Sequence, residues 1–354
     1  MLFKIKNIKF MKKILYKSYI SNRTLPVNLI DSEKWLFERE LTRTIHDGYV
    51  RLLNNVVCFN LGIYKFKGLF QYNKYTNFSK KKFINKLRDF KKYKLYQNDV
   101  IKIKSGIWIL DNKSQIYGHF LNDAMCRLIM IPDSIKQSYK ILLPKILEIN
   151  WIIEFLDFFE IKYEIIDDQK KYLVKNLYTT NYAALPGNFN EKVLIKLQKE
   201  ALKRNSNVSL ASTKTYLQLE RVWIDRSKSR RGVENSEALI PILKKYKFKI
   251  IALEDLSISE KISLLQNIKI LAGSHGSGLA NMIFMKPNSS ILDVRDPSDK
   301  YKNAFFSQAS ALNLKYYYIE REVSHQIQNP LFDNIVIDPQ KLDTVLDLMT
   351  NQLS

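Results

Sequence analysis

The sequence predicts an α/β protein made of two Rossmann-like domains facing a cleft. Three observations predict it. From residue 101 onward, short apolar runs alternate with segments whose apolar residues recur at helical spacing, the pattern of parallel strands covered by helices. The alternation occurs twice, and the gap between Asn181 and Leu219 holds Pro186-Gly187 and the polar run Arg204–Ser212. A length of 354 residues suits two domains of ordinary size.

The elements follow in order. In the first series Ile101–Leu110 reads as a strand, Gly118–Ile131 as a helix and Tyr139–Pro144 as a short strand stopped by Pro144. Asn150–Phe159 is helical, and Ile161–Ile166 and Lys171–Thr179 are strands. In the second series Arg221–Asp225 is a strand, Glu234–Tyr246 a helix and Lys249–Leu253 a strand. Ile258–Asn267 is a helix with Ser257 placed to cap it, and Ile268–Gly273 is the next strand. A helix over Gly276–Met285, a strand over Ser289–Val294, a helix over Asn303–Leu312 and a strand over Lys315–Glu320 complete the series. Pro339 starts a terminal helix. The predicted organisation is a basic region over 1–100, domains over 101–200 and 215–338, and the terminal helix over 339–354.

Composition sets the class. Hydrophobic residues make up 46% and charged residues 26%, as in a globular protein with an ample core. The net charge of +22 favours anionic partners: nucleic acid, anionic lipid or phosphorylated substrates. A composition rich in Lys, Ile, Asn and Tyr accounts for the same charge without any partner. Cys58 and Cys126 form neither a disulfide framework nor a zinc site, and they fit a reducing interior. No apolar run approaches the roughly 20 residues of a membrane span. The opening MLFKIKNIKFMKKILYKSYI alternates Lys with apolar residues. It is a poor secretory signal, and reads as a surface segment for an anionic membrane or as an ordinary basic element. Tyr64–Lys104 mixes Lys with Tyr and Phe, which suits single-stranded nucleic acid or the solvated face of a helix.

Open α/β sheets bind ligands at the carboxyl ends of their strands. In the second series that rule selects Gly273–Asn281, AGSHGSGLAN with its preceding alanine. Gly276 and Gly278 allow close backbone approach, the first-turn N–H groups point outward, and His275 sits where the chain turns. The turn is neither a P-loop, since Leu279 follows Gly278, nor a full dinucleotide fingerprint, since Asn281 replaces the third glycine. The same rule selects Asp225–Asn235, with Arg226, Lys228, Arg230 and Arg231, whose guanidinium groups suit phosphate oxygens. It also selects Glu254–Ser257. In the first series it selects Asp111–His119. There His119 and Asp123 lie four apart on one helical face, a pairing that serves a general base or a helix cap. For each stretch the spacing alone leaves a structural reading open.

Together these stretches resemble the glycosyltransferase 61 family, whose bacterial members accompany capsular and other polysaccharide biosynthesis. Residues 254–294, from EDLSISEKISLLQN to LAGSHGSGLANMIFMKPNSSILDV, are similar to the family's Glu-led loop, helix, strand, HGAGLxN turn and final strand. Arg226, Arg230 and Arg231 with Asn235 and Glu237 resemble its R…RR…NE segment, and GHFLNDAMCRL its HW…D…RL segment. The likeness covers about residues 105–320. Ser277 departs from the usual Ala, Phe120 from a common Trp, and the Arg loop is shorter.

The resemblance implies a GT-B architecture with an acceptor-binding N-terminal domain and a nucleotide-sugar donor in the C-terminal domain. It implies an inverting, metal-independent transfer with no cofactor. Donor binding then falls to Arg226, Arg230, Arg231, Glu254, His275, Gly276, Ser277, Gly278, Leu279 and Asn281. His119, oriented by Asp123, becomes the candidate base. The sequence agrees on metal use, because no Asp-x-Asp occurs in it. The expected acceptor is a glycan or lipid-linked oligosaccharide, and the expected location the cytoplasm, peripheral on the inner face of an anionic membrane. No nucleic-acid partner is expected. Two other readings stay open: a basic nucleic-acid-binding protein, and a sugar-nucleotide epimerase on the same scaffold.

Overall fold

A computed structural model describes residues 11–59, 63–66, 69–72, 100–167, 170–184, 187–206, 218–228, 232–296, 303–322 and 334–352. In chain order the first strands are β1 (Met11–Tyr16), β2 (Tyr19–Asn22), β3 (Thr42–Ile45), β4 (Gly48–Phe59), β5 (Ile63–Phe66) and β6 (Leu69–Tyr72). Next come β7 (Val100–Ile107), β8 (Ile141–Pro144), β9 (Tyr163–Ile166) and β10 (Lys171–Thr180). The last are β11 (Arg221–Ile224), β12 (Lys249–Ile251), β13 (Ile270–Ser274), β14 (Ser290–Arg295) and β15 (Lys315–Glu320). The chain is α/β, with one mixed and one parallel large sheet. It divides into two compact units, one holding the chain up to Ser18 and His46–Pro186, the other Tyr19–Ile45 and the chain from Gly187.

The sheet of the first unit has the order β6-β5-β4-β10-β7-β8-β9, with β1 also on β4. The sequence reading expects parallel pairing here, and that holds only for β10, β7, β8 and β9. β4 pairs antiparallel with β10, so the sheet is mixed. The reason lies in the first hundred residues, which supply strands that close onto the far edge of β10. One face of this sheet packs a core of Leu53, Val56, Cys58, Trp108, Leu142, Tyr172, Val174 and Leu177. Burial on this apolar face fixes which side chains of β4, β7 and β10 point inward.

The sheet of the second unit is wholly parallel, with order β12-β11-β13-β14-β15. Its strands are apolar runs because both faces are covered. Trp223, Ala272, Leu292, Val294 and Tyr317 meet the helices Ser236–Lys245 and Pro339–Asn351 on one side. On the other side the helices Glu191–Asn205 and Ile258–Asn267 pack on each other and on the short helix Ser277–Phe284. The sequence reading counts residues up to 200 with the first domain. The helix Glu191–Asn205 instead packs in the second unit, where Gln198 Nε2 donates to the carbonyls of Ile283 and Met285 at 2.7 and 2.9 Å. Residues of the Tyr19–Ile45 segment also join this unit. Arg23 Nη1 donates to Glu40 Oε2 at 3.0 Å and Ser307 Oγ at 2.8 Å, and Asn28 Nδ2 to the Tyr318 carbonyl at 2.6 Å.

Candidate active site

The strand order of the second unit places a crevice. β11 comes first in the chain, β12 lies on one side of it and β13 on the other, so the direction of winding reverses between β11 and β13. Such a switch point opens a gap outside the carboxyl ends of its two strands, because the following helices go to opposite faces. The two loops singled out in the sequence, after Ile224 and after Ser274, leave the sheet at this point.

The glycines are there for space. A Cβ on Gly273 or Gly278 would stand 3.1 Å from Ile224 side-chain atoms, and one on Gly276 would stand 2.2 Å from Arg226 Nη1. The turn therefore lies directly on the end of β11. Arg226 was expected to grip phosphate. In the structure its Nη1 donates to the His275 carbonyl at 3.0 Å and lies 3.4 Å from Ser274 Oγ, so it braces the turn itself. Arg230 and Arg231 lie outside the described residues.

The element after the turn is a 3-10 helix, Ser277–Phe284, where an α-helix was expected. Its side chains from Leu279 to Phe284 are all buried under neighbouring helices, which crowds the segment into the tighter coil. Leu279 and Asn281 were carried over as donor-binding residues. Leu279 is fully buried, and its backbone N–H is spent on the Gly276 carbonyl at 3.0 Å. Asn281 is buried and donates to the Gly278 carbonyl at 2.9 Å. Both shape the turn from inside, and His275, Gly276, Ser277 and Gly278 are its half-buried outer stretch. Glu254 is exposed in the turn after β12, next to Asp255, which pairs with Lys228 at 2.6 Å.

His275 is held from below by a residue the sequence reading passed over. Its Nδ1 lies 3.0 and 3.1 Å from the two carboxylate oxygens of Asp293. The ring packs against Phe305 with centroids 4.7 Å apart. Asp293 sits inside β14, where every residue is buried, and also accepts from the Tyr316 hydroxyl at 2.9 Å. Burial and the neighbouring carboxylate push the Tyr316 hydroxyl far above its ordinary titration range, so it stays a donor. The Asp293 side chain is 2% accessible against 26% for His275, so the ring is the part of this chain of groups that reaches the surface. With Nδ1–H directed at the carboxylate, Nε2 is the nitrogen on the other side of the ring. The sequence signals only that an acid inside an apolar buried strand needs a partner; that the partner is His275 follows from the folded register, in which Asp293 pairs with Gly273, two residues before His275.

The candidate base lies in the first unit. After β7 a loop leads into a helix with an α turn over Tyr117–His119, a π stretch over Phe120–Ala124 and an α segment over Met125–Met130. Single π turns are rare and widen the coil locally. His119 Nδ1 and Asp123 Oδ2 are 2.7 Å apart across this stretch. Phe120 is buried between Trp151 and Phe155, with centroids at 5.2 and 5.6 Å. One turn on, the buried Arg127 donates to the carbonyls of Ile109 and Thr180, with its guanidinium 4.9 Å from the Tyr182 ring. The Tyr182 hydroxyl donates in turn to the buried Asp111, which also accepts from the backbone N–H of Lys113. This network ties the helix to the ends of β7 and β10. Among the described residues no group of three or more His, Cys, Asp or Glu is placed to hold a metal ion. No helix among them is long and apolar enough to cross a membrane.

The geometry thus brings together a Rossmann-like parallel sheet, a glycine turn at its switch point and a carboxylate-held histidine on that turn. A glycosyltransferase 61 family model matches residues 117–292, from the His119 helix to the residue before Asp293. The chain belongs to the glycosyltransferase 61 family and is a glycosyltransferase. No curated protein matches it.

Proposed function

We propose that the chain transfers a sugar from a nucleotide-sugar donor to a hydroxyl of a glycan or lipid-linked oligosaccharide, with inversion and without a metal ion, in the synthesis of a surface polysaccharide. In this reading the two units face one cleft in a GT-B arrangement, and the enzyme works in the cytoplasm at the inner face of the membrane. The observation that carries the donor assignment is the glycine turn at the β11/β13 switch point with His275 on its surface. The backbone N–H groups of Gly276, Ser277 and Gly278, the His275 side chain and the arginines after β11 meet the donor diphosphate. These fixed donors stabilise the charge that develops as the anomeric C–O bond breaks and its electron pair goes to the diphosphate. Glu254, at the rim after β12, faces the donor's polar groups.

The acceptor hydroxyl loses its proton as its oxygen bonds the anomeric carbon from the opposite side. His119 takes that proton, and Asp123 orients the ring. Replacing His119 with Ala lowers turnover by about 100-fold or more and leaves donor affinity nearly unchanged. Steady-state kinetics beside calorimetric donor titration checks both. Near-wild-type turnover removes His119 as the base. EDTA leaves the rate unchanged, and a rate abolished by EDTA and restored by a divalent ion contradicts the metal-free step.

A further inference from the structure

Opposite the core of the first unit's sheet, the first halves of β7 and β10 carry lysines, whereas further along the sheet Ile107, Ile141 and Leu143 are fully buried. Along β10, Tyr172 and Val174 are core residues, while Lys175 points the other way and is exposed, and Lys171 and Leu173 are half-buried. Along β7, Ile103 packs on the same core and its neighbours Lys102 and Lys104 are exposed. The two strands are parallel and in register. Lys171 stands beside Val100 and Lys102 beside Leu173. Val174 pairs with Ile103 and Asn176 with Ser105, which sets Lys175 beside Lys104. Four lysines thus occupy three successive rows of a two-strand ribbon. Neighbouring strands lie about 4.8 Å apart, and like charges placed side by side on a sheet are destabilising.

The strands themselves supply no acid beside Lys102, Lys104 and Lys175. β4, β7 and β10 contain no Asp or Glu. Among the described residues no ion pair engages Lys102, Lys104 or Lys175. The occupant that charge complementarity selects is an anion. Lysine without arginine gives a field of point charges and no planar forks for individual phosphates. Leu173 and Val57 lie in the same row as Lys102, which adds apolar surface beside the charge. A lysine-studded, partly apolar strand surface matches a layer of anionic headgroups better than a nucleic-acid strand, which is held by aromatic stacking in a basic groove.

We propose that the lysine-bearing patch on the first halves of β7 and β10, marked by Lys102, Lys104 and Lys175, docks the enzyme on an anionic lipid membrane. The proposal rests on the peripheral-membrane part of the reading above and not on the donor site. The full chain is mixed with phosphatidylglycerol-containing vesicles and with pure phosphatidylcholine vesicles, and bound protein is measured by co-sedimentation. The wild type binds the anionic vesicles, less so as salt rises, and does not bind the neutral ones. The triple variant K102Q/K104Q/K175Q loses about 100-fold in partitioning, with an unchanged or raised melting temperature because a like-charge cluster has gone. Its affinity for the nucleotide-sugar equals that of the wild type, which separates this result from any failure of the donor site. Undiminished vesicle binding by the triple variant overturns the proposal. So does a variant that loses oligonucleotide binding while it keeps vesicle binding.

Discussion

At the residue scale the account turns on Asp293. It is buried in β14 and bonds both His275 and Tyr316. Replacing it with Asn keeps the shape, removes the charge and leaves the Nδ1 proton without a carboxylate. The expected outcome is a loss of about 1–3 kcal/mol in stability and a weaker donor affinity, checked by thermal melting and calorimetric titration. A destabilised variant with wild-type donor affinity separates the histidine's orientation from donor binding. Gly276→Ala tests the close approach of the turn. The new methyl displaces only the far end of the Arg226 side chain. Melting temperature should change little, while donor affinity falls because the arginine that braces the His275 carbonyl has moved. A large loss of stability with normal affinity would contradict the steric account. The residues the sequence revealed here were those that a backbone turn requires, the glycines and His275. Asp293 stayed hidden because its role depends on the pairing of β14 with β13 and β15, which no local pattern reports.

At the scale of elements, legibility followed burial. β13, β14 and β15 are short apolar runs between helices, and the pattern marked them almost to the residue. Ser257 capped its helix as expected, in a full capping box. The Ser257 backbone N–H and hydroxyl donate to Glu260 Oε2 at 2.8 and 2.7 Å, and the Glu260 N–H reaches back at 3.3 Å. β4 escaped detection. Its twelve residues carry Asn54-Asn55 in the middle, which reads as a turn, and Asn55 indeed takes a positive φ of 55° without breaking the strand. The antiparallel register with β10, more than a hundred residues away in sequence, holds it extended. The short helix after Gly276 was legible as a helix, but its 3-10 coil reflects packing from three other helices.

The capping box gives a pH prediction at this scale. The bonds from Ser257 hold the Glu260 carboxyl below the ordinary glutamate range. A depressed folded-state value means that the carboxylate's contribution is complete above the unfolded value and is lost as pH falls through the folded one. Replacing Ser257 with Ala costs about 1 kcal/mol at neutral pH, and the difference from wild type shrinks in acid. Melting curves across that range check it, and a difference that stays constant into acid would contradict the carboxylate's part.

At the scale of the whole molecule, the sequence marked two α/β series, and the described residues form a mixed sheet in one unit and a parallel sheet in the other. Two contributions were not legible: the strands that the first hundred residues add to the first sheet, and the Tyr19–Ile45 segment that joins the second unit. Both are long-range pairings, set by edges that exist only once the sheets have formed. The order β12-β11-β13-β14-β15 was equally silent in sequence, yet it is what turns a glycine turn into a candidate site. The central claim is that a nucleotide-sugar binds at that switch point through His275. Calorimetric titration of the wild type and of His275→Ala with UDP-, GDP-, CMP- and TDP-sugars, with EDTA present, tests it most directly. The account predicts that one class binds the wild type and that the variant loses about 1–3 kcal/mol of that affinity. Binding of none of them, or equal affinity in both proteins, would contradict it.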